Sequence, residues 1–204
     1  MKNLWIIAIL AIFSFTSMNA QGVTFGAKAG VNFASITGDG TDNLDMRTSL
    51  HVGGVAEIAF SDKFSLQPEL LYSSQGAKAS FSGFEAKTKL DYLNLPVMAK
   101  YYVAEGFSVE AGPQVGVLLS AKVDTDNSID LISSSPKVEV DIKDETSDID
   151  FGLKFGAGYK LESGLNFGAH YNLGLADLND NTVSDSGDFK NQNGVIQVSV
   201  GYFF

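Results

Sequence analysis

From Gln21 to the last residue one pattern recurs eight times: apolar side chains at every second position, with polar or small ones between them. The runs are Val23–Phe33, Leu50–Phe60, Phe64–Tyr72, Leu93–Tyr101, Phe107–Val117, Ile149–Tyr159, Leu165–Leu173 and Ile196–Phe204. Successive side chains of a β-strand point to opposite faces, so a period of two marks a strand with one greasy and one polar face. No stretch between the runs carries a helical period. The pattern predicts eight strands of about 9 to 12 residues and no helix, which excludes helix bundles and α/β folds.

The connections alternate in length. Short ones sit at 61–63, 103–106 and 161–164; long polar ones at 35–49, 74–89, 121–148 and 176–194. Tight turns at one end and long loops at the other belong to an eight-stranded antiparallel up-and-down barrel, and an even strand number puts both termini at the tight-turn end. Alternation alone leaves the inside and outside faces undecided, because a soluble ligand-carrying barrel would turn its apolar face inward. Three features favour lipid on the apolar side. The polar face is crowded with glycine (Gly26, Gly30, Gly53, Gly112, Gly116, Gly152, Gly156, Gly158, Gly168), which suits a narrow interior. Aromatics gather where girdles at the membrane interfaces would lie: Phe60, Phe64, Tyr101, Phe107, Tyr159, Tyr202 and Phe204 at the turn end, with Phe33, Tyr72 and Phe151 at the other. None of the apolar-face positions carries a charge. Pro68, Pro96 and Pro113 fall inside consecutive strands and each removes a ladder hydrogen bond, so a bulged patch is expected across strands three to five.

The first 20 residues read as a signal peptide: Lys2, an apolar run from Leu4 to Phe15, then small residues up to Ala20. That run is shorter than the roughly 20 residues of a spanning helix. Residues 21–204 then form the barrel domain. The absence of cysteine excludes a disulfide framework, a thiolate nucleophile and a cysteine-ligated metal. A formal charge of −10 argues against nucleic-acid binding.

Counted from the tight turns, Lys28, Glu57, Glu69, Lys100, Glu110, Lys154 and His170 project inward, where charges must pair because unpaired buried charge is expensive. The expectation is an ion-pair network that plugs the barrel; a proton or solute path is the alternative. The second histidine, His51, is expected near the rim beside Ser49, where acyl-transfer chemistry on lipid would need a histidine, a serine and an acid, although no motif supports it. The longest loop alternates acids (Asp124, Asp126, Asp130) without the glycine and terminal glutamate of an EF-hand, so no metal or other cofactor is expected. Val138, Val140 and Ile142 alternate with Glu139 and Asp141, so the strands are expected to extend there as a hairpin.

Several segments resemble the PorT-like outer-membrane β-barrel family of Bacteroidetes: Phe25-Gly26-Ala27-Lys28-Ala29-Gly30-Val31-Asn32, Leu66 to Gly76, Tyr92-Leu93-Asn94-Leu95-Pro96, Gly156-Ala157-Gly158-Tyr159, Tyr171-Asn172-Leu173-Gly174-Leu175 and the closing Val200-Gly201-Tyr202-Phe203-Phe204. The resemblance implies an outer-membrane location with periplasmic termini and insertion by the barrel-assembly machinery, which reads the C-terminal aromatic, Phe204. One branch of the family serves protein secretion. The reading that follows is a non-enzymatic barrel with a structural or loop-mediated binding role, in contact with outer-membrane lipid and with a protein partner at its outer loops. A narrow channel or secretion accessory is the alternative, and a lipid-modifying enzyme at the rim a more distant one.

Overall fold

The computed structural model describes residues 22–38, 41, 44–81, 84–127, 138–178 and 190–204; the expected signal peptide, residues 1–20, lies outside them. Nine strands follow in order: β1 (Val23–Gly38), β2 (Leu44–Ala59), β3 (Phe64–Phe81), β4 (Phe84–Ala104), β5 (Phe107–Asn127), β6 (Val138–Asp141), β7 (Ile149–Lys160), β8 (Leu165–Gly174) and β9 (Asn191–Phe203). A single 3-10 turn, Lys143–Glu145, lies between β6 and β7. Every pairing is antiparallel. Each long strand pairs with the next, and β1 pairs with β9, so eight strands close into a ring. The short β6 stands apart from the ring, paired only to the upper part of β5.

Closure pairs both edges of the eight long strands and fixes the stagger. Phe203 pairs with Gly26, Gly26 with Val55, and Val55 with Glu69. Beyond the interrupted stretch of β3 and β4, the same register continues through Pro96, Gln114, Gly152 and Gly174, and Gly174 faces Asn193. The circuit thus returns to β9 at Asn193 after leaving from Phe203, a stagger of ten residues. Such a shear tilts the strands by roughly 40° and leaves an interior that side chains fill.

Burial decides the inside-out question. The apolar positions face outward: Leu95 is 50 % exposed and Val198 49 %, whereas Asn94 and Gln197 beside them are 1 % and 2 %. On β4 the outward residues Leu93 to Val103 are uncharged, between Asp91 and Glu105. Ten residue steps at a rise of about 3.3 Å and this tilt give an apolar belt about 25 Å tall, the thickness of an outer-membrane barrel's lipid-facing band. The aromatics listed above lie outward at both borders of that belt, with Phe60 against Phe64 and Tyr202 against Phe204 at the turn end. The inward glycines permit close approach of coiled strands: a Cβ on Gly112 would lie 1.9 Å from the Val97 carbonyl oxygen.

Three expectations are corrected. The segments 35–49 and 74–89 are mostly strand: β1 reaches Gly38, β2 begins at Leu44, β3 runs to Phe81 and β4 starts at Phe84. The strands on this tall side are therefore 16 to 21 residues long, well beyond the predicted 9 to 12. The prolines interrupt pairing without shifting register: Val55↔Glu69 resumes at Ile58↔Leu66, and Pro96↔Gln114 resumes at Ala99↔Ala111. Bulges occur elsewhere, between Met46 and His51 on β2, and on β5 where Leu119 is skipped between Tyr92↔Leu118 and Asp91↔Ser120. The β5–β6 hairpin is present, and there Glu139 sits 2.5 Å from Lys122 and raises the pKa of that exposed ammonium above its ordinary value.

Candidate functional site in the barrel interior

Alternate residues of eight inward faces meet along the axis, and the structure places all seven residues picked out above, six charged ones and His170, among them. Glu69, on β3, is the centre of one cluster: Oε1 is 2.5 Å from Lys28 Nζ on β1, and Oε2 is 3.2 Å from Lys154 Nζ on β7. The Gln67 amide also donates to Glu69 Oε1, at 2.5 Å. Lower down, Lys100 on β4 lies 3.4 Å from Glu110 on β5 and 3.9 Å from Glu57 on β2, and donates to the Gln67 amide oxygen at 3.0 Å. Glu110 receives the Ser108 hydroxyl at 2.7 Å and contacts His170 Nε2 at 2.7 Å. None of these seven residues is more than 5 % exposed. Gln67 joins the two clusters into one network; pairing by parity alone pointed to charged residues and missed this amide.

The network continues to the turn end. Glu57 accepts from Ser65 at 2.9 Å, from the Tyr102 hydroxyl at 2.5 Å and from Lys160 at 2.9 Å. Lys160 lies over the Phe203 ring, 4.5 Å from its centroid, a cation–π contact. A vestibule of about 840 Å³ opens below them, lined by Thr24, Tyr102, Lys160 and Phe203 among others. Toward the tall end the contents change. His51 is 2 % exposed and its Nδ1 is 2.7 Å from the Asn32 amide oxygen, while Ser49 donates to the Ser74 carbonyl. The expectation of a rim histidine is therefore corrected: β2 continues seven residues beyond His51 to Leu44, which carries the rim upward and leaves the imidazole inside. Above it Leu90, Tyr92, Leu118, Ala121 and Leu178 form a buried apolar cluster, with Ile36 and Ile142 against it. The skipped Leu119 makes this cluster, because one extra residue turns Ala121 inward where simple alternation would have turned it out.

Chemically the interior is a network of buried lysine–glutamate ion pairs, held by hydrogen bonds from Gln67, Ser65 and Ser108. No group of three or more histidines, acids or cysteines able to hold a metal is found among the described residues. Residues 128–137 of the long acidic loop, and 179–189 of the last loop, lie outside those residues.

A family model described as "Outer membrane protein beta-barrel domain" matches residues 19–180. No curated protein matches the chain. Among solved structures, the attachment invasion locus protein Ail of Yersinia pestis is similar with a TM-score of 0.52 at 12% identity, covering 90% of this chain and 99% of Ail. The Neisserial surface protein A is similar with a TM-score of 0.53, also at 12% identity, covering 90% of this chain and 99% of that one. At these identities the likeness is one of fold.

Proposed function

Because the chain belongs to the outer membrane protein beta-barrel domain family, we propose that it works as a sealed barrel, with a structural or binding role exercised at its ends and no transport through its lumen. The observation that carries this is the filled interior: Lys28, Glu69, Lys154, Lys100 and Glu110 bridge five different strands below an apolar cluster, all of them buried. In this proposal the turn end, with both termini, faces the periplasm, and the tall end with β6 faces outward and meets a protein partner. Phe204 closes the last strand, its N–H donating to the Phe25 carbonyl at 2.9 Å, and serves as the signal read by the barrel-assembly machinery. The segments quoted above support membership of the PorT-like family within it.

Planar-bilayer recording of the purified, refolded barrel tests the sealed lumen. The expected result is no steady conductance; stable unitary currents would replace this reading with the narrow channel. We further propose that the chain is not an enzyme. His51 contacts Asn32, and Ser49 is engaged with a backbone carbonyl, so neither is set up for acyl transfer. Mass spectrometry of lipid A from cells with the protein, without it and with His51→Ala is expected to give three identical profiles. A modification that follows the intact protein and vanishes with His51→Ala would reinstate the enzyme.

A further inference from the structure

Among the described residues four carboxylates are buried in the barrel: Glu57, Glu69, Glu110 and Asp150. The first three face lysines or a histidine. Asp150, at the tall end of β7 and 4 % exposed, has no basic partner among the described residues. One oxygen, Oδ2, accepts from the Asn193 amide at 2.9 Å; the other, Oδ1, has no hydrogen-bond partner.

Around it lie polar groups that reach few partners, the Tyr92 hydroxyl among them. Gly116 on β5 pairs with Asn94 on one side and with Asp150 on the other. A Cβ on Gly116 would lie 2.5 Å from Asn94 Oδ1, 3.3 Å from the Tyr92 ring and 3.5 Å from Asp150 Cβ, so three side chains converge on the space over one glycine. Asn94 is 1 % exposed, and neither its Oδ1 nor its Nδ2 has a partner. The side-chain oxygen of Asn193 and the Tyr92 hydroxyl make no hydrogen bond either. A buried carboxylate with no cation beside it, near amide oxygens that also lack donors, is costly in a low-dielectric interior. A guest that answers these oxygens together is a hard metal cation, which takes carboxylate, amide carbonyl and water oxygens.

We propose that Asp150 holds a single hard metal cation inside the barrel, with Asn94 and Asn193 supplying amide oxygens and water completing the shell. A bound water also accepts from Asn94 Nδ2, which the ion itself leaves unsatisfied. The position matters mechanically: the ion would tie β4, β7 and β9 together just below the apolar cluster, where the ion-pair network does not reach.

The test is equilibrium unfolding of the refolded full-length mature barrel in detergent at one ionic strength, with N-methylglucamine chloride, NaCl or CaCl₂ as the salt. Screening is equal in the three, so a difference reports a specific ion, and the Na⁺ and Ca²⁺ arms separate a monovalent from a divalent guest. Wild-type protein is expected to resist unfolding more in NaCl or CaCl₂ than in the organic salt. Asp150→Asn is isosteric, and with the carboxylate gone the half-saturating ion concentration should rise at least tenfold. Asn94→Ala keeps the carboxylate and should weaken binding by a smaller factor, while Asn94→Asp, which adds a second carboxylate, should tighten Ca²⁺ binding. Equal midpoints in all three salts overturn the proposal. So does an ion dependence that survives unchanged in Asp150→Asn, since it would then belong to the exposed acids.

Discussion

Replacing Glu69 by alanine should cost about 3–5 kcal/mol, the penalty of removing one member of a buried ionic cluster. The carboxylate has no exposed side-chain surface, and it is the only acid within ion-pair distance of Lys28 or of Lys154 among the described residues. Alanine would leave two ammonium groups facing each other across the lumen, with Gln67 also deprived of its acceptor. The same logic sets two controls. Glu57→Ala should cost less, because its partner Lys160 opens onto the vestibule and is 27 % exposed at the side chain, so water can take up the charge. The triple replacement Lys28→Met, Glu69→Leu, Lys154→Met removes all three charges at similar volume and should be close to neutral or stabilising. Urea unfolding in lipid vesicles gives all three numbers. If Glu69→Ala unfolds like wild type, the network is decorative and the plug argument loses its energetic basis.

The inward set was legible because parity is rigid: once Lys28 or Glu110 is assigned to the polar face, the two-residue period forces every other member of its strand. Strand ends were not legible. Between residues 74 and 89 the outward positions include Ser74, Lys78, Glu85, Lys87 and Lys89, which look like loop residues; beyond the lipid belt a strand needs no greasy face, and pairing of Gln75 with Leu90 and of Lys78 with Lys87 carries the hairpin upward. His51 was misplaced for the same reason. The bulge at Leu119 was invisible too, since a single skipped residue leaves no mark on an apolar stretch such as Val117-Leu118-Leu119, yet it decides which residues make the upper core. Asp150 sat on the polar face by parity, but that it lacks a cation is a property of the closed ring, where Asn94, Asn193 and Gly116 come from three other strands.

Val198→Arg should destabilise the barrel by about 2–4 kcal/mol in a bilayer. Val198 lies midway along the outward face of β9 and pairs with Val31 and Ala169, so no neighbouring carboxylate can take up the guanidinium. The cost arises only if hydrocarbon surrounds the strand, because burying arginine there means either dehydrating it or thinning the membrane around it. Depth then becomes the internal control. Tyr202→Arg, in the aromatic border at the turn end, should cost about 0–1 kcal/mol, since the charge reaches the interface. A water-bathed apolar face would reverse this expectation, with arginine harmless at both positions and most welcome where the exposed patch is greasiest. Refolding midpoints for the two variants in vesicles therefore separate lipid from water, and equal costs at Val198 and Tyr202 would dismiss the membrane-spanning arrangement.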